Sequence, residues 1–150
     1  MKALSMYSLF AMSISCYLKV IEVRSWETSY RGDILICSSL EDSKVKSKKD
    51  MLIFGKALAV AEIVDCVPYI DKEHRELAMV FDDEEIPENS YSFLLDNIRP
   101  IKPIDVKGKQ RLFNIDIDNI EYLDIDSLEN SEQLEEYWLK NGYIKELPRE

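Results

Sequence analysis

The sequence predicts an α+β protein: a small, partly closed β-barrel flanked by helices, with a C-terminal helical extension. Strand-like and helix-like segments come in the order helix, two strands, loop, strand, helix, two strands, helix. Most of the predicted strands are short, as in small barrels. The chain has 150 residues, of which 46% are hydrophobic, so it can bury one core. No repeat or low-complexity linker divides it.

The first half of the chain contains two predicted helices and three predicted strands. Residues 19–37 predict two strands joined by a turn, and residues 55–69 predict a long strand that Pro68 ends. Residues 71–80 are helix-like. Residues 6–16 predict the first helix, because apolar side chains recur at steps of three and four residues. These side chains are Leu4, Tyr7, Ala11, Ile14 and Leu18.

The second half contains shorter elements. Residues 91–95 predict a short strand or a helical turn. Residues 98–106 contain two prolines, which favours an edge or extended strand over a central one because proline donates no ladder hydrogen bond. Residues 111–116 predict a closing strand.

The tail, residues 117–150, differs in character. Residues 119–122 predict one more strand, and Ser131 is the predicted N-cap of a final helix, with acidic residues in its first turn. This helix has one apolar face, formed by Leu134, Tyr137 and Trp138. We therefore expect residues 1–116 to form the barrel and the tail to be an extension that packs on the same domain.

The charge balance restricts the function classes. The formal net charge is −10. Because an acidic surface repels the phosphate backbone, the net charge disfavours indiscriminate, salt-driven binding to nucleic acid. A nucleic acid or nucleotide would have to bind in a locally basic pocket. An alternative is a protein-interaction module whose acidic surface meets a basic partner.

The compartment is predicted from the cysteines. Cys16, Cys37 and Cys66 form an odd set without a C-x-x-C pair, which disfavours zinc ribbons and disulfides and favours the reducing cytoplasm. Residues 2–16 resemble a signal peptide, but their serines and helical periodicity favour a packed helix. No segment approaches the ~20 apolar residues of a membrane span. The acidic residues after Asp116 lack the glycine of a calcium loop, so we expect no membrane, metal or cofactor.

The strongest functional signal lies in residues 19–26. In a continuous strand, Glu22, Arg24 and Trp26 would share one face and Lys19 would point to the other. A carboxylate, a guanidinium and an indole on one strand face favour a polar cleft. The alternative is a structural ion pair on a half-exposed strand, with Trp26 in the core.

The dense basic cluster of residues 41–50 has two interpretations. It is either a solvated, mobile loop or a flap that brings positive charge to the mouth of a cleft. The cluster consists of Lys44, Lys46, Lys48 and Lys49.

Several blocks of sequence occur in the order of a known family. Lys19, Glu22 and Arg24 are followed by Ser25-Trp26, Thr28 and Arg31-Gly32, then by Asp65-Cys66-Val67-Pro68, Arg99-Pro100 and Lys107-Gly108-Lys109. This order resembles the ASCH domain, the activating-signal-cointegrator homology branch of the PUA-like barrels, over roughly residues 3–116. Two positions depart from it: Tyr17 replaces the glycine before the first strand, and Ser8-Leu9 replaces a Gln-Pro pair.

The resemblance implies that the chain binds RNA or a modified nucleoside or nucleotide in a cleft between barrel and helices. Arg24 and Arg31 would clamp a phosphate or another acidic group, and Trp26 or Tyr30 would stack on a base. The ligand-binding residues so implied are Lys19, Glu22, Arg24, Trp26, Thr28, Arg31 and Lys107.

Whether the protein is an enzyme stays open at the level of sequence, as does its oligomeric state. Some small PUA-like relatives are amidohydrolases that act on acylated cytidine, and other ASCH proteins are ribonucleases. In the amidohydrolases the motif lysine works with a threonine three residues on, and that position here is Glu22. Lys19 and Glu22 would be the catalytic pair of a hydrolase. A mechanism with two histidines is excluded, because His74 is the single histidine.

Overall fold

A computed structural model describes residues 1–40, 46–109 and 111–148 of the chain. Of the basic cluster, Lys44 lies outside the described residues, as do the side chains of Lys46 and Lys48. The described part forms one sheet with three α-helices and a 3₁₀ turn, Lys46–Met51. The strands are β1 (Lys2–Met6), β2 (Ile21–Arg24), β3 (Gly32–Ser38), β4 (Lys56–Pro68), β5 (Tyr91–Asp105) and β6 (Leu112–Asn114), and the helices are α1 (Ser8–Ser15), α2 (Asp71–His74) and α3 (Ser131–Lys140).

The six strands lie in the order β2-β5-β4-β3-β1-β6. The β1–β3 pair is parallel and the other neighbours are antiparallel. The long pair β4–β5 has three register shifts, and such irregularities bend a sheet. The result is a mixed half-barrel with helices around it, which confirms the predicted α+β, partly closed architecture.

The strand β1 is a feature that the sequence analysis missed. Leu4 was placed in the helical repeat, but it lies in β1, where it pairs with Ile36 on one side and Leu112 on the other. The helix begins only at Ser8. A five-residue strand in front of a helix is hard to predict, because the partners that stabilise it are more than 30 residues away.

The segments 91–95 and 98–106 form one continuous strand, β5, so their prediction as separate elements was wrong. The first half of β5 lies between β2 and β4. Its second half pairs with β4 only, and its other side carries a single bridge from Ile101 to Tyr122 instead of a strand over residues 119–122. Pro100 fits there because its carbonyl accepts from Leu123 N (3.0 Å) while its missing N–H would face this sparsely paired edge.

The final helix packs on the barrel core through its predicted face. Leu134 and Trp138 are fully buried in the same cluster as Leu4 and Ile14 of the N-terminal elements. The N-cap is Asn130 and not Ser131, since the Asn130 side chain accepts from the Gln133 backbone N at 3.3 Å. Among the described residues, no helix has the length and apolar character to cross a membrane.

Candidate ligand-binding cleft

Two hollows adjoin between β1, β2 and the loops beside them. The first, which we call the inner cavity, has a volume of about 680 Å³. One wall is the start of α1 with Tyr7 and Phe10, and the opposite wall is the segment 78–90 that follows α2. Lys19, Glu22 and Arg24 also line it.

Three of the charged groups of the inner cavity, whose lining also includes Glu84, form one network, which we call the triad. Lys19 Nζ lies 3.3 Å from Glu22 Oε1. On the other side, Arg24 Nε donates to Glu22 Oε2 at 2.9 Å, and Arg24 Nη2 lies 2.8 Å from the same oxygen. Arg24 Nη2 also donates to the Ser5 carbonyl at 2.8 Å. Both oxygens of Glu22 are thus occupied by cations, so this carboxylate is an electrostatic anchor and not a free base.

Strand alternation predicted Lys19 on the face opposite Glu22, and the structure corrects this. The strand begins only at Ile21, and the chain before it turns through Tyr17, whose φ is +63°. This turn brings the Lys19 side chain inward, 4.7 Å from the centre of the Phe10 ring, where Nζ also donates to the Ala78 carbonyl. Lys19, Glu22 and Arg24 therefore lie together as the motif predicts, but a turn and not a continuous strand brings Lys19 to the other two.

Burial sets the electrostatics of the triad. Lys19 is 3% exposed and Glu22 5%. Burial lowers the pKa of the Lys19 ammonium more than Glu22 restores it. Burial by itself raises the pKa of Glu22, but the charges and hydrogen bonds of Lys19 and Arg24 outweigh it and hold that pKa below its usual range. The triad therefore has a net charge of +1 when Lys19 is protonated, with Arg24, whose side chain is 21% exposed, as its accessible member.

The second hollow, which we call the outer hollow, has a volume of about 750 Å³. It continues from the inner cavity, because Ser5, Arg24, Ser25 and Ser39 line both. None of the described residues that line it is acidic. The remaining lining residues are Trp26, Leu40, Lys107, Gly108, Lys109 and Arg111.

Trp26 lies between core and hollow. Its ring packs edge-on against Phe93, with 5.1 Å between the ring centres. The Arg111 guanidinium lies 5.2 Å from the centre of the same ring, a cation–π contact. Trp26 therefore has one contact with the core and one with a cation of the outer hollow.

The structure brings five of the seven predicted binding residues to the two hollows: Lys19, Glu22, Arg24, Trp26 and Lys107. Thr28 and Arg31 line neither. The Arg31 guanidinium donates to the carbonyls of Thr28 and Tyr30 at 3.0 Å and lies 3.3 Å from Asp65 Oδ1 on β4. Arg24 and Arg31 therefore do not face each other across a common pocket.

The structure adds residues that the sequence analysis did not nominate. Lys109 and Arg111 belong to the basic turn after β5, and their position beside Lys107 was a usable signal. Ser5 and the wall formed by residues 78–90 had no such signal. The contacts that place this wall are backbone hydrogen bonds, in which Val20 N and Ile21 N donate to the Leu77 carbonyl at 3.0 and 3.2 Å.

Tyr17 shows how the departure from the family's glycine is accommodated. The residue keeps the left-handed backbone that a glycine adopts readily. Its hydroxyl accepts from Ile98 N at 2.9 Å, which ties the turn to β5. The side chain does not line the inner cavity or the outer hollow.

The side chains that could bind a metal ion do not cluster in the described part of the chain. Across residues 1–40, 46–109 and 111–148, no group of three or more His, Cys, Asp or Glu side chains is placed to hold an ion. The cations of the cleft would repel one.

The fold and the cleft define a PUA-like protein. The family model described as the ASCH domain matches residues 4–143, so the chain belongs to this family. Two solved structures similar to this chain are the ASCH protein from Zymomonas mobilis, with a TM-score of 0.59, and a Tyr-to-Phe variant of that protein, with a TM-score of 0.58. Each is 17% identical; the matches cover 89% of this chain and 94% and 96% of theirs. No functionally curated protein matches the chain.

Proposed function

We propose that this protein binds RNA or a modified nucleoside or nucleotide in the cleft formed by the inner cavity and the outer hollow. One observation carries the proposal: a hollow with four cationic side chains and, among the described residues, no acidic one lies in a chain of net charge −10. These cations are Arg24, Lys107, Lys109 and Arg111. Such a local reversal of charge attracts an anion that the rest of the surface repels.

The inner cavity supplies the complement for the uncharged part of such a ligand. Its lining combines apolar side chains, among them Phe10 and Val80, with the triad. Pockets of this kind hold a flat heterocycle by apolar contact, and a few polar groups orient it. Trp26 stands at the boundary, where its ring can stack on a second base.

The cysteines support a cytoplasmic location within this proposal. Cys16, Cys37 and Cys66 are free, and burial raises the pKa of the Cys37 thiol to about 12, which keeps that thiol unreactive. RNA and nucleotides are also abundant ligands in that compartment.

The test compares two arginines that the sequence nominated equally. We expect Arg24→Ala to weaken the binding of short single-stranded RNA at least roughly tenfold, because Arg24 is shared by both hollows. Arg31→Ala removes the same charge outside the cleft and is the matched control, with an expected change below about threefold. Fluorescence anisotropy with labelled RNA and with a panel of modified nucleosides as competitors measures both. Equal losses in the two variants would contradict the proposed cleft.

A hydrolase that uses the same cleft is the second candidate. The observation in its favour is Lys19, a buried amine with a lowered pKa that lines the inner cavity. Burial of this kind raises the share of neutral, nucleophilic amine. The candidate predicts turnover of an acylated cytidine or of RNA that disappears in Lys19→Met. Binding without turnover in the wild-type protein would leave the binding function and reject the hydrolase.

A further inference from the structure

We propose that the outer hollow is a phosphate-binding subsite, so that the cleft selects phosphorylated ligands over free nucleosides. The inference rests on the proposed function and deepens it. It assigns Lys107, Lys109 and Arg111, together with Arg24, to the phosphate, and it leaves the base to the inner cavity. The phosphate has two possible sources, a free nucleotide or an RNA strand, and the experiment below distinguishes them.

The first argument is how cations are paired elsewhere. Across the described residues, each arginine outside the cleft lies within ion-pair distance of a carboxylate: Arg31 with Asp65, Arg75 with Asp71, and Arg99 with Asp33. Exposed lysines outside the cleft are mixed, since Lys102 has such a partner and Lys72 has none among the described residues. No carboxylate of the described residues lies that close to Lys107, Lys109 or Arg111, although the chain contains 29 acidic residues. In so acidic a chain, three neighbouring cations without a counter-charge among the described residues leave room for an external anion.

The second argument is the fixed position of the turn. Gly108 packs directly on Ser5 of β1, since a Cβ on this glycine would lie 2.5 Å from Ser5 Oγ. The backbone on one flank is held by Val106 N, which donates to the Gly55 carbonyl at 3.0 Å. The turn is therefore docked on the sheet, and the lysines on both sides of Gly108 stay at the hollow.

The third argument is the shared role of Ser5. Its carbonyl accepts from Arg24 Nη2, and its side chain contacts the turn at Gly108. One residue of β1 therefore holds the accessible cation of the triad next to the cations of the turn. A ligand whose base occupies the inner cavity reaches this junction with its phosphate, where arginine forks and lysine point charges both bind phosphate oxygens.

The test uses isothermal titration calorimetry with the full chain. The probes are the four ribonucleosides, their 5′-triphosphates and inorganic tripolyphosphate. We expect at least one triphosphate to bind roughly tenfold or more tightly than its nucleoside. In the double variant Lys107→Ala/Lys109→Ala, that advantage shrinks to about threefold or less, and nucleoside affinity stays within about twofold of the wild type.

The control variant is Lys102→Ala. Lys102 lies on β5, is similarly exposed, and lines neither the inner cavity nor the outer hollow. It should leave every affinity unchanged. Because Lys107 and Lys109 are exposed, the double variant should fold like the wild type, which far-ultraviolet circular dichroism checks.

The source of the phosphate is distinguished by an octaribonucleotide with a 5′-phosphate and the same strand with a 5′-hydroxyl. Tighter binding of the phosphorylated strand assigns the subsite to a terminal phosphate. Equal binding that the double variant weakens assigns it to backbone phosphodiesters. Both results support the subsite.

The inference and the proposed function fail separately. If nucleosides bind as tightly as triphosphates, or if the double variant weakens both equally, the phosphate subsite is wrong and the binding cleft stands. If tripolyphosphate binds and the double variant loses it, but no nucleoside, nucleotide or RNA binds, the subsite stands and the proposed function is wrong. If none of the probes binds, both are wrong.

Discussion

At the scale of single residues, Glu22 decides the electrostatics of the cleft. Its two oxygens face Lys19 on one side and Arg24 on the other, and all three side chains lie at or near the protein interior. Two cations this close to each other repel, so the carboxylate between them is what allows Lys19 to be buried beside the partly buried Arg24. Removing its charge should therefore cost more than removing an exposed ion pair.

We expect Glu22→Gln to lower the free energy of unfolding by about 3–5 kcal/mol, because it leaves the buried Lys19 and the partly buried Arg24 without a counter-charge. The control is Glu121→Gln, which removes the same charge from an exposed partner of Lys102 at 3.8 Å and should cost less than about 0.5 kcal/mol. Urea unfolding at pH 7 measures both. Similar losses in the two variants would show that the triad is not an electrostatic unit.

The dependence of the unfolding free energy on acidic pH gives a second prediction for Glu22. Its pKa in the folded protein lies below the ordinary value of 4.5, so its stabilising contribution is complete above that pH. The contribution falls as the pH drops below 4.5 through the lowered pKa. The difference in unfolding free energy between wild type and Glu22→Gln should therefore be constant from pH 7 to 5 and shrink below pH 4.5. A difference that grows on acidification would have the wrong sign.

At the scale of elements, the N-cap of helix α3 is not the residue that the sequence predicts. Ser131 has the residue type and the acidic neighbours of an N-cap, but the Asn130 side chain accepts the backbone hydrogen bond. We expect Asn130→Ala to destabilise the protein by about 1 kcal/mol. Ser131→Ala, the neighbouring control, should change stability by less than about 0.3 kcal/mol. Thermal unfolding compares the two variants. A larger loss of stability in Ser131→Ala would show that Ser131 is the N-cap.

At the scale of the whole molecule, the tail and the barrel share one core, because Trp138 of α3 is buried with residues of β1 and α1. The chain has two tryptophans, so Trp26→Phe leaves Trp138 as the only indole that reports on the tail. We expect its fluorescence transition in urea to coincide with the loss of far-ultraviolet circular dichroism, as in two-state unfolding. An earlier fluorescence transition would mean that residues 117–150 unfold separately from the barrel.

The long-range contacts explain which site residues were predictable. Lys19, Glu22 and Arg24 are close in the chain, so their grouping followed from a local motif. Arg31 is also close to these residues in the chain, but its side chain pairs with Asp65 on β4, away from the cleft. The turn with Lys109 faces the cleft because Gly108 meets Ser5, about 100 residues away in the chain, and Val106 N donates to the Gly55 carbonyl.

The sequence by itself determined the α+β class, the apolar face of α3, the succession of most strands along the chain and the local charge motif, because each depends on periodicity or spacing within a few residues. The tertiary structure decided that β5 is one strand, that the Lys19 side chain turns inward and that Arg31 lies outside the cleft. The physical reason is that a side chain's neighbours across a sheet are set by strand pairing and loop docking, and these depend on residues far apart in the chain.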